Sequence, residues 1–91
     1  MNKLLHKFSE ASKMLSASQE GMRENVYGAY FDHLQDIDRD ELPEKIRIVY
    51  DSVKIRLTAA LPYGHIENED AAYLAKDILY MTNFLQTHYG R

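Results

Sequence analysis

"KIRIVYDSVKIRLTAALP", residues 45–62, supports two readings, and the choice between them decides the fold. Taken by twos, Ile46, Ile48 and Tyr50, then Val53, Ile55 and Leu57, alternate as strand residues do, with Asp51-Ser52 as a turn between them. Taken by threes and fours, positions 46, 49, 50, 53, 57, 60 and 61 are all apolar and make a complete helical face. The flanks decide. Asp40 stands before Glu41-Leu42-Pro43-Glu44, which joins an N-cap residue, acids suited to the positive end of a helix dipole and a first-turn proline. Pro62 stops the segment at Leu61, about 20 residues later, a length of several helical turns. A hairpin would lack the glycine usually demanded at a two-residue turn, and would leave LTAAL, residues 57–61, without a role. The stretch is expected to be a helix.

Upstream, Leu4, Leu5, Phe8, Ala11 and Leu15 recur at helical spacing, and from Met22 onward so do Val26, Ala29, Tyr30, His33, Leu34 and Ile37. Ser16-x-x-Gln19 has the form of a capping box and Gly21 follows, so a break near residues 16–18 is one reading. The helical spacing also runs on through Leu15, Ser18, Met22 and Val26, so a single long helix over residues 2–36 is the other. At 1.5 Å per residue, such a helix would span over about 50 Å and overhang its own bundle. Leu4, Leu5 and Phe8 would then need a second copy of the chain to cover them. Downstream, Pro62-Tyr63-Gly64 reads as a turn, and Asn68 caps a last helix that opens on Glu69 and Asp70. This helix runs to about Tyr89, ahead of Gly90. Its inner face reads Ala71, Leu74, Ala75, Ile78, Thr82, Leu85 and Tyr89. Links of about four to six residues join antiparallel neighbours. The expected fold is all-α: an up-and-down antiparallel bundle of three or four helices, in one domain over residues 1–91.

The bulk properties fit that frame. Two prolines and four glycines are too few for an all-β chain with its many turns. A chain of 91 residues buries only roughly 60–65% of its unfolded surface, so its stability margin is thin and self-association would help. There is no cysteine, which removes disulfides, thiolate metal sites and cysteine nucleophiles together. MNKLLHKFSEASK, residues 1–13, interrupts its leucine pair with His6 and Lys7, so it has no signal-peptide apolar core. No run approaches the roughly 18–20 apolar residues of a membrane span. A cytoplasmic protein with no membrane association is expected. The net charge of −3 hides a segregation. Residues 32–44 carry six acids against Arg39, a local −5, whereas residues 45–61 carry four bases against Asp51, a local +3. An acidic chain with one short basic stretch is a poor nucleic-acid binder, because neutralised phosphates supply most of that affinity.

Little in the pattern points to chemistry. Asp36-Ile37-Asp38-Arg39-Asp40 alternates carboxylates as a calcium loop does. Glu41 and Arg47 then stand where that loop needs its glycine and its bidentate glutamate. His6, His33, His65 and His88 form no Glu-x-x-His or His-x-x-x-His pair. Asp32, His33 and Asp36 could supply part of a metal site in an assembly, and His65 with Glu67 and Glu69 reads as a polar loop. Serines 9, 12, 16 and 18 have no elbow or glycine-rich loop around them, so no nucleophile is framed. No cofactor, catalytic residue or metal ligand is assigned.

Two features point instead to contact with proteins. Ile48 and Ile55 project from the 45–61 helix away from the Ile46–Val53–Leu57 face, on a side edged by Arg47, Asp51 and Lys54. Seven tyrosines are present, and Tyr73 and Tyr80 share a stripe with Phe84, offset from the inner face of the last helix. Tyrosine buries a large ring while keeping one end wet, which suits interfaces. These eight residues are the candidate interface. "LPEKIRIVYDSVKIRLTAA", residues 42–60, is similar to the helix opening of the flagellar export chaperones. There a Pro-Glu-Lys-hydrophobic start leads to a Tyr-Asp pair, here Pro43, Glu44, Lys45, Ile46, Tyr50 and Asp51. The similarity implies a helical protein that binds another helix. The expected function is a non-enzymatic interaction protein of regulator, adaptor or chaperone type, with a protein partner and a homodimeric state. A bacteriocin-immunity or antitoxin-like inhibitor is the second reading, favoured by small size and the acidic 32–44 stretch. A small ligand- or metal-binding sensor or enzyme using the histidines is the third.

Overall fold

In the computed structural model, which describes residues 3–16, 21–60 and 67–89, residues 44–60 form one helix. It is the third of four: α1 (Lys3–Ser16), α2 (Met22–Gly28), α3 (Glu44–Ala60) and α4 (Asn68–Tyr89). Among the described residues there is no strand. The all-α bundle takes its four-helix form, and α4 packs against each of the other three helices.

The N-terminal ambiguity resolves as a break. Gly21, with φ −68° and ψ 160°, is extended between α1 and α2, so no single helix joins them. The two helices run antiparallel. Lys7 Nζ reaches Asp36 Oδ1 at 3.0 Å at one end, and the Met14 side chain lies over Gly28 at the other. Folding back covers Leu4 and Phe8, which are 7% and 0% exposed within the chain's own core. The overhang that would have required a second copy does not arise. Ser16 turns its hydroxyl back to Ser12 O (3.3 Å), while Gln19, its partner in the expected capping box, lies outside the described residues.

α2 continues into a π-helical segment, Ala29–Leu34, which carries Ala29, Tyr30 and Leu34 into the core. The acidic link then folds as a short 3₁₀ turn, Arg39–Glu41. Asp38 caps it, its Oδ1 accepting the Asp40 N–H at 3.0 Å. Asp40 is therefore inside this turn and does not cap α3, which starts after Pro43; the Pro43 carbonyl accepts the Ile46 N–H at 3.0 Å. α4 likewise begins at Asn68 itself, with the Glu67 carbonyl accepting the Ala71 N–H at 2.9 Å. The expected turn at 62–64, His65 and Gly90 lie outside the described residues.

The buried faces follow the 3.6 period. α3 buries Ile46, Tyr50, Val53 and Leu57, and α4 buries Ala71, Leu74, Ala75, Ile78, Met81, Thr82 and Leu85. Two positions depart from the expected α4 face: Tyr89 is 38% exposed, and Met81 is buried. Inside the core, Tyr50 Oη donates to Leu34 O at 2.7 Å, with Ile37 O at 3.4 Å, and so ties α3 to the end of the π segment. Thr82 Oγ1 is shared between Ile78 O (2.9 Å), Phe8 O (3.3 Å) and Ser12 Oγ (2.7 Å), which locks α4 to α1. The Cα radius of gyration, 12.4 Å, matches the roughly 12 Å of a folded chain this long.

Candidate interaction surface

α3 has two sides. Opposite its buried face, Ile48 is 78% and Ile55 64% exposed. Seven residues on a helix is two turns, so these side chains stand roughly 10 Å apart on one line. Ser52, half-buried between them, floors a shallow open depression edged by Asp51 and Arg56. Both isoleucines are β-branched and stiff, so little rotamer entropy is lost when a partner fixes them.

The charges beside them have internal duties. Arg39 grips Asp51 with two nitrogens, Nε at 3.0 and 3.2 Å from the carboxylate oxygens and Nη2 at 2.8 Å from Oδ2. Arg47 donates from Nε to Leu42 O (2.9 Å) and from Nη2 to Asp40 O (3.2 Å). Both contacts hold the 38–42 link against α3, so Arg47 and Asp51 are first of all structural. Lys54 is exposed and makes no salt bridge among the described residues.

On α4, Tyr73 is 61% and Tyr80 50% exposed, and the Lys76 ammonium lies 6.0 Å from the Tyr73 ring centroid. Phe84 does not stand out with them. It is half-buried against the core and stacks on His88 at 5.8 Å, which makes it part of the rim. Asp77 shares the tyrosine face at i+4 from Tyr73. Burial pushes its carboxyl up from the ordinary value, and Arg56 on α3 pulls it part of the way back. Through Asp77 the strip is thus coupled electrostatically to α3. Arg56, Asp77 and Ser52 were absent from the sequence-based set. Asp77 could have been found from its place between the two tyrosines, and Ser52 from its place midway between the isoleucines.

The other candidate groups do not converge. His6 and His88 are exposed and His33 is half-buried. Among the described residues no three histidines or carboxylates come together to hold a metal. Ser9, Ser12 and Ser16 line an open trough between α1 and α4 with Lys13, Thr82 and Gln86, and among the described residues its lining includes no histidine or carboxylate. The six acids of 32–44 are all exposed, two of them paired with Lys7 and Arg39. Among the described residues no helix is long and apolar enough to cross a membrane.

The Arg39–Asp51 clamp carries a pH dependence of definite sign. The guanidinium's hydrogen bonds hold the Asp51 carboxyl below the ordinary carboxylate value, as Lys7 does for Asp36. A depressed folded-state value stabilises the fold above the unfolded value, about 3.9, and that stabilisation is lost as pH falls through the folded one. Asp51→Asn should therefore flatten the acid limb of a stability–pH curve below about pH 4 and leave its shape unchanged around neutrality. An acid limb of unaltered slope would show that the clamp does not persist in solution.

Comparison with known protein families, characterised proteins and solved structures returns no match. The functional reading therefore rests on the geometry of this chain.

Proposed function

We propose that this protein acts by contact with another protein, through the outer face of α3 and the tyrosine strip of α4, in the manner of a small regulator, adaptor or chaperone and without enzymatic chemistry of its own. The observation that carries this reading is the exposure of Ile48 and Ile55 on a helix whose opposite face is already fully used by the core. Fully burying one such side chain is worth about 1.5–3 kcal/mol. Two isoleucines and two tyrosines on neighbouring helices thus offer an anchor of the size that dominates real interfaces. The flanking Lys54, Arg56 and Asp77 supply a polar rim. A partner presenting an apolar helical stripe would lie along this strip.

The test is retention of the native partner by the pure chain and by Ile48→Asp/Ile55→Asp. Both substituted positions are exposed, so helicity should stay intact while affinity falls at least about tenfold, a difference of roughly 1.4 kcal/mol. Equal retention by the two chains would end this reading.

A further inference from the structure

We draw no further inference here: the strongest candidate, the exposed apolar patch of Ile48 and Ile55 on the outer face of α3, belongs to the surface already described, and nothing in the structure shows what covers it.

Discussion

Phe8→Ala should lower the unfolding free energy by about 3–5 kcal/mol, the cost of emptying a core site of a phenyl ring. The ring is fully buried, and the carbonyl of the same residue faces Thr82 on α4, so this one position couples the first helix to the last. A chain of this size has roughly 5–14 kcal/mol of total stability, so the loss is a large share of it. In urea, with a slope of about 1–3 kcal/mol per M, the midpoint should fall by more than about 1 M at a fixed protein concentration. The result also discriminates between the two readings of the N-terminal third. If α1 were part of a long helix projecting from the bundle, Phe8→Ala would change association and leave the stability of the isolated chain nearly unaltered.

Tyr50→Phe, which removes one oxygen atom, should cost about 1–3 kcal/mol, because it takes the hydroxyl donor away from buried carbonyls. Leu34 O, at the end of the π segment, accepts the Ile37 N–H at 3.3 Å and the Tyr50 hydroxyl at 2.7 Å, and Tyr50 Oη also lies 3.4 Å from Ile37 O in the link beyond. Tyr30 lies beside it, with ring centroids 6.5 Å apart. The Tyr30 hydroxyl is itself buried without a well-formed hydrogen bond. Burial pushes both phenols up from their ordinary value, and the pair act on each other, Tyr30 raising Tyr50 and Tyr50 partly offsetting the rise of Tyr30. A raised folded-state value means the fold holds these protons more tightly than the unfolded chain does. Their contribution is complete below the unfolded value of about 10 and is lost as pH rises beyond it. Circular dichroism against pH should therefore show alkaline unfolding, with a shallower fall in Tyr50→Phe. An identical alkaline limb in the two proteins would mean that the Tyr50 hydroxyl is solvated in solution.

The fold was legible where burial is periodic and local. Ile46, Tyr50, Val53 and Leu57 repeat every three or four residues, and the start and stop signals flank them, so α3 could be read before any coordinates. The apparent strand alternation arises because Ile48 and Ile55 sit on the opposite side of the same helix. What escaped was decided by tertiary contacts. The π segment leaves no mark, since its apolar residues keep spacings that an α-helix also allows. The acidic link was read as a cap for α3, but Asp38 caps a turn of its own and Arg47 ties that turn to the helix, an arrangement fixed by side-chain reach and not by periodicity. Tyr89, expected on the inner face, is exposed because the end of a helix stripe depends on where its neighbours stop. Of the candidate interface, the isoleucines and two tyrosines were readable as apolar positions off the core face. Asp77 was readable from its place between the two tyrosines, but its relation to Arg56 was not, because that exists only once α3 and α4 lie side by side.

The central claim, that the outer face of α3 and the tyrosine strip of α4 form the docking surface, is tested most directly by side-chain footprinting of the bound chain against the free chain. Ile48 and Ile55, and with them Tyr73 and Tyr80, should lose reactivity on binding. Met22, Leu79 and Tyr89, the other large exposed apolar side chains among the described residues, should keep theirs. Protection centred on Met22, Leu79 or Tyr89, with Ile48 and Ile55 as reactive in the bound chain as in the free one, would contradict the account.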